Sequence, residues 1–212
     1  MKSIAVLLLA ISPMAMWQRV WKETNSFAAA KHGTTQYATK HYEQSAKSFS
    51  DADRMNPSPK SAFNLGTAQI AAGKNTEGSA TMERALKDPS LRADSFFNRG
   101  NSALQSKAYE YAIRDYVETL KLRPNDAAAK RNLEIALEQL QQQKKSAAGR
   151  QGQKQPSPSN QQQQQKAPSA GDQQEQQQQS DAEALLRSVQ QQEQEELQRM
   201  KRARADSVRV GW

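Results

Sequence analysis

Cysteine is absent from the chain. Disulfides, thiolate metal sites, a cysteine nucleophile and a lipid-modified cysteine are therefore excluded, while the redox compartment stays open. Histidine is limited to His32 and His41, nine residues apart and joined by no recognisable carboxylate pair. That is not a metal-ligand spacing. No convergent acid, base and nucleophile set is visible, so the sequence offers no catalytic, cofactor-binding or metal-binding residue and points away from an enzyme. Aromatic residues make up 6% of the chain and mean hydropathy is −0.94. The last third is nearly free of large apolar side chains, so only part of the 212 residues can fold around a core. A long apolar run is also missing. The stretch from Ile4 to Met16 spans 13 residues and is interrupted by Ser12-Pro13. As a helix it rises roughly 20 Å, short of the ~30 Å hydrocarbon core of a bilayer.

That length, with Lys2 in front, suits the apolar part of a secretory signal. Pro13 falls badly for cleavage after either Ser12 or Ala15. Trp17 and Trp21, interleaved with Arg19 and Lys22, have the composition of an interfacial collar holding a short anchor. Residues 1–22 are thus read as a signal or membrane anchor, with the protein exported to the periplasm or attached to the inner membrane.

What is present is a repeat. From Ala93 to Asp126 two apolar helical patterns flank a polar break near Ser106-Lys107. The first contains Phe96, Phe97, Gly100, Ala103 and Leu104. The second contains Tyr109, Ala112, Ile113, Tyr116, Leu120 and Leu122, and it stops at Pro124. Gly66 lies 34 residues before Gly100, Met82 lies 34 before Tyr116, and Asn132 lies 34 after Asn98. Gly33, Tyr42, Ser45, Phe49, Ala52 and Pro57 fit the same template one residue out of step. A hairpin of this size cannot bury its apolar faces alone, so it implies stacked neighbours.

The pattern resembles the tetratricopeptide repeat: a small residue in helix A, Tyr opening helix B, then small, aromatic and small residues, and a closing Pro. In the unit from Ala93 the matches are Gly100, Tyr109, Ala112, Tyr116 and Pro124; in the unit from Pro59 they are Gly66, Gly73 and Ala85. The expectation is an all-α helical-hairpin solenoid over 26–145, with repeats at 26–58, 59–92 and 93–126. A capping helix at 127–145, started by Asn125-Asp126, would cover the open end with its stripe of Leu133, Ala136, Leu137 and Leu140.

Residues 146–179 hold 14 glutamines and three prolines, with nothing apolar larger than alanine, and read as a disordered linker. Helical signals return at Ser180, where Glu183 completes a capping-box pattern. Over 180–212 the sparse stripe of Leu185, Leu186, Val189, Leu197 and Met200 suits an isolated helix that orders in a partner's groove. The basic end, from Arg199 to Arg209, supports an alternative reading as an adaptor for nucleic acid or anionic lipid. The chain's charge of +8 and pI near 9.7 fit that alternative, although half of the local basic signal is explained by the helix dipole.

By resemblance to other such repeats, the second, fifth, ninth and twelfth positions of each unit line a concave groove. Here they are Lys60, Phe63, Thr67 and Ile70, then Asp94, Phe97, Asn101 and Leu104. Asn64, Asn98 and Asn132 form a 34-spaced column that serves either a bound peptide or the repeat itself. Asp94 stands where chaperone-tail binders carry a lysine, so that mode of recognition is not expected. The architecture also resembles the repeat proteins of bacterial Bat (aerotolerance) operons: hydrophobic N-terminus, few repeats, Gln-rich linker, the LLRSVQQQEQEEL stretch and Trp212. That resemblance implies a membrane-associated or periplasmic scaffold beside partners with von Willebrand factor A domains. It binds protein, takes no small-molecule substrate and needs no cofactor.

Overall fold

The computed structural model describes residues 13–152 and 170–209. The expectations for residues 1–12, for 153–169 and for Trp212 lie outside them, as do the side chains of Leu197 and Met200. The described residues form eight helices and no strand: α1 (Pro13–Ala38), α2 (Tyr42–Met55), α3 (Pro59–Ala71), α4 (Asn75–Ala85), α5 (Arg92–Gln105), α6 (Tyr109–Leu122), α7 (Ala127–Gly152) and α8 (Ala170–Arg209). The all-α hairpin expectation holds. Two units divide the chain, one ending at Leu91 and the other starting at Arg92.

Each A-to-B turn is built the same way. Lys40, Gly73 and Lys107 take left-handed backbone at φ 62°, 78° and 58°. The following N–H groups of His41, Lys74 and Ala108 reach back to the carbonyls of Gln36, Gln69 and Ala103 at 2.8, 2.8 and 2.9 Å. This is the Schellman closure, which satisfies the last carbonyls of one helix while reversing the chain.

In the first unit α1 packs on α2, α2 on α3 and α3 on α4. The Ser45 hydroxyl donates to the Gly33 carbonyl at 2.8 Å, and the Ser26 hydroxyl to that of Ala52 at 3.1 Å. Those two bonds fix α1 antiparallel to α2. Ala46, Phe49, Leu65 and Ala68 form one buried cluster; Ile70, Met82 and Ala85 form another. Helix α3 starts as its sequence dictates. Pro59 follows Ser58, whose hydroxyl accepts the Ser61 N–H at 3.0 Å, while the Ser58 N–H donates to the Ser61 hydroxyl at 2.8 Å. Asp53, buried at the end of α2, accepts a fork from Arg84 of α4 at 2.7 and 2.8 Å and the Ser61 hydroxyl at 2.6 Å.

In the second unit α6 is the centre, with α5, α7 and α8 packed around it. Tyr109, Ala112, Ile113, Tyr116 and Leu120 meet Ala129, Leu133, Ala136 and Leu140 in one buried cluster. Asp115, fully buried, takes a bidentate fork from Arg99 at 2.6 and 2.7 Å. Asp126 caps α7 as expected, its carboxylate accepting the Ala129 N–H at 3.0 Å.

Three expectations require correction here. The C-terminal helix is not isolated: Ala182 is part of the second unit's core, with Leu185 and Leu186 packed against it and Val189 also buried. Gln190 donates to Glu134 at 2.9 Å and Lys144 to Gln179 at 3.3 Å, so α8 runs antiparallel to α7. Ser180 is not a cap, because α8 begins ten residues earlier, at Ala170. Glutamine is a good helix former and no proline or interior glycine interrupts 172–180, so the helix propagates back through them. Helix α7 likewise continues past Lys145 to Gly152, carried through Ala147 and Ala148 despite Gly149, so helix occupies both ends of the stretch read as linker over 146–179.

Candidate functional site: a groove beside α1 and α3

The first unit carries a half-open groove of ≈ 670 Å³. Its walls come from α1 (Ser26, Phe27, Ala30, Lys31, Thr34) and α3 (Lys60, Ser61, Asn64). Phe49 and Ala52 of α2 form the floor. Packing explains the shape. The short hydroxyls of Ser26 and Ser45 pull α1 against α2, and the Asn56–Ser58 turn then throws α3 out to one side.

Much of the polar lining is already engaged. Ser26 donates to Ala52, Thr34 to the Ala30 carbonyl at 3.0 Å, and Thr35 to that of Lys31 at 3.2 Å. Ser61 is held by Asp53. Glu23 at the rim is paired with Arg19 at 3.0 Å. Lys31, Lys60 and the Asn56 and Asn64 amides are left, and none has a side-chain partner among the described residues. The groove thus presents two ammonium groups and two amides above an apolar floor. Such an arrangement can hold carboxylates and one apolar side chain.

Of the residues assigned to a groove by resemblance, Lys60 and Asn64 line this one. Thr67 is half-buried. Ile70 is buried in the core with Met82 and Ala85, and Phe63 packs on the same cluster. In the second unit Phe97 is half-buried, its ring 6.1 Å from that of Tyr116, and Leu104 packs on the core. Asp94 pairs with Arg123 at 2.7 Å. The Asn101 side-chain oxygen Oδ1 receives both the Tyr116 hydroxyl and the Asn132 amide, each at 2.8 Å. Asn132 is thereby used within the repeat, and Asn98, half-buried, is bonded as well.

The residues missed are Phe27, Ala30, Lys31 and Thr34. Their signal was present: counting from Ser26, the second, fifth and ninth positions are Phe27, Ala30 and Thr34. His32 and His41 are exposed; His32 contacts Gln36 at 3.0 Å and His41 contacts Thr39 at 2.9 Å. Among the described residues no cluster of His, Asp and Glu could hold a metal, and no helix is long and apolar enough to cross a membrane.

No family model matches the chain, and no curated protein matches it. Solved structures do. The first tetratricopeptide domain of Spaghetti (RPAP3), solved with the HSP90 peptide SRMEEVD, is 18% identical at a TM-score of 0.52; the match covers 56% of this chain and 94% of that one. The first such domain of human RPAP3 is 18% identical at 0.53, covering 57% and 97%. The crystal structure of MamA is 17% identical at 0.52, covering 60% and 70%. At such identities the likeness speaks for architecture. The fold of this chain is that of tetratricopeptide-repeat domains.

Proposed function

We propose that this protein is a non-enzymatic interaction scaffold that holds an acidic peptide segment in the groove between α1 and α3. The observation that carries the reading is the groove itself: Lys31 and Lys60, both unpaired, over Phe27, Phe49 and Ala52. Carboxylates would meet the ammonium groups, and one apolar side chain would fill the floor. The RPAP3 structure with its HSP90 peptide is support by analogy of fold. The finer reading places the scaffold at a bacterial envelope, held by its N-terminal segment. There it would act beside von Willebrand factor A-type Bat partners. That part rests on the composition of residues 1–22 and on the LLRSVQQQEQEEL stretch.

The test is fluorescence anisotropy with labelled acidic peptides carrying one Leu or Phe, against matched lysine-containing controls. Lys31→Glu with Lys60→Glu should abolish binding, and Phe27→Ala should weaken it by roughly tenfold. Equal affinity for acidic and basic peptides would defeat the reading.

A second reading has one observation in its favour. From Gln190, α8 continues 19 residues to Arg209, whereas α7 begins only 7 before Glu134, so the basic end of α8 outruns its partner helix. Binding of nucleic acid or anionic lipid there would fall steeply with added salt.

A further inference from the structure

Ten large apolar side chains are exposed among the described residues, and six of them crowd into one stretch of α1: Met14, Met16, Trp17, Val20, Trp21 and Phe27. Apolar residues scattered singly over a surface need no explanation, but a contiguous group marks a docking face. Every residue from Met14 to Thr24 is exposed. The Ser26–Ala52 and Ser45–Gly33 bonds set the register, which puts the end of α2 at Met55 opposite Glu23. Residues 13–22 therefore run on past α2 for roughly 15 Å.

The faces are sorted. α1 packs through Ser26, Ala30 and Gly33. At roughly 3.6 residues per turn, the six apolar side chains fall on the other half of the helix, and Gln18, Arg19, Lys22 and Asn25 fall on the packing half. Thr24, the polar residue within the apolar half, spends its hydroxyl proton on the Val20 carbonyl at 2.9 Å, as an apolar medium demands. Trp17 and Trp21 are 75% and 64% exposed, and neither indole N–H has an acceptor among the described residues.

An apolar half, two tryptophans whose N–H groups need acceptors, and cations on the opposite flank match the layer between acyl chains and headgroups. The sequence leading into α1, MKSIAVLLLAIS, carries one charge and continues the apolar character, which a seam between two protein copies would not require. We propose that residues 14–24 of α1 lie in the interfacial plane of a lipid bilayer, apolar half inward, with Phe27 left to the groove, so that the groove stands beside the membrane. This deepens the attachment part of the proposed function. Lys31 follows Trp21 by ten residues, so the groove lies roughly 15 Å further along the same helix. Over 14–24 the charges are Arg19 and Lys22 against Glu23, a net of +1 (two minus one), so apolar burial dominates and neutral lipid suffices.

The experiment is co-flotation of the full chain with phosphatidylcholine vesicles, with and without phosphatidylglycerol. A Trp212→Phe background leaves only Trp17 and Trp21 to report quenching by brominated acyl chains. Both vesicle types should carry the protein, with both tryptophans quenched. Trp17→Ser with Trp21→Ser should cut partitioning at least roughly tenfold without lowering the melting temperature. A Leu7→Ser, Leu8→Ser, Leu9→Ser variant should bind more weakly yet keep the quenching. If that triple variant abolishes flotation while the tryptophan pair does not, attachment survives and the interfacial helix is wrong. If the unaltered chain fails to float, both are wrong. If the tryptophan substitutions instead convert a dimer to a monomer, the occupant is a second copy and the proposal falls.

Discussion

A first side-chain carbon on Gly100 would sit 2.8 Å from Cε1 of Tyr116, closer than any such contact tolerates. Tyr116 cannot swing away. It is fully buried, its hydroxyl donates to Asn101, and burial pushes that hydroxyl's pKa far above the usual phenol range. A Cβ placed on Gly33 would lie 3.0 Å from the Phe49 ring and one on Gly66 3.2 Å from Met82, so a small residue faces a large one sixteen positions on in all three hairpins.

Gly100→Leu should therefore destabilise the second unit by about 1–3 kcal/mol, read as a lower urea midpoint with unchanged slope. An unaltered midpoint would mean that the α5–α6 contact is misassigned.

That pairing was legible in the sequence because close helix approach restricts residue type at both ends, and the restriction recurs every 33 or 34 positions. The groove was half legible. Lys60 and Asn64 line it, but the offsets that named Lys60 also named Ile70, which is buried, and Leu104, which packs on the core of its own hairpin. A periodic template says where a residue sits on a helix, not how deep its neighbours lie. For α8 the stripe Leu185, Leu186, Val189 showed that one face is apolar. Nothing in the spacing chose between a foreign groove and α6 with α7, since both offer the same chemistry.

Lys107 sits exposed in left-handed backbone at φ 58°. That conformation costs a residue with a Cβ about 1–2 kcal/mol, and glycine's extra freedom in the unfolded chain returns about 0.5–1 of it. Lys107→Gly should stabilise the second unit by about 0.5–1 kcal/mol, seen as a higher melting temperature. Gly73 already occupies the equivalent place in the α3–α4 turn.

Asp53 gives a pH signature. Burial by itself would raise its carboxyl pKa; the Arg84 fork, the Ser61 hydroxyl, the Arg84 charge and the Ser58 N–H together outweigh burial and hold it below 3.8. The unfolded chain then takes up the proton first as pH falls, so the stabilisation is complete above about pH 5 and lost through the folded value below about pH 4. Arg84 is 42% exposed, which screens its charge. Arg84→Met should cost about 1–3 kcal/mol at pH 7, and the gap from the unaltered chain should narrow by pH 2.5. A gap that stays constant would assign the loss to packing.

The seam of α8 is thin for a helix of 40 residues: Ala182 and Val189 are buried, Leu185 and Leu186 half-buried. Ala182→Glu would force a carboxylate into the core beside α6 and α7, where it has no partner. Amide exchange over 170–195 should then rise toward that of a free helix, while α1 to α4 keep their protection. Ser180→Ala separates this packing from the capping alternative. A cap would lose about 1 kcal/mol, whereas an exposed interior serine replaced by alanine gains a few tenths through propensity alone, roughly 0.3–0.5 kcal/mol. The sign of that change, measured on the full chain, decides whether α8 starts at Ala170 in solution.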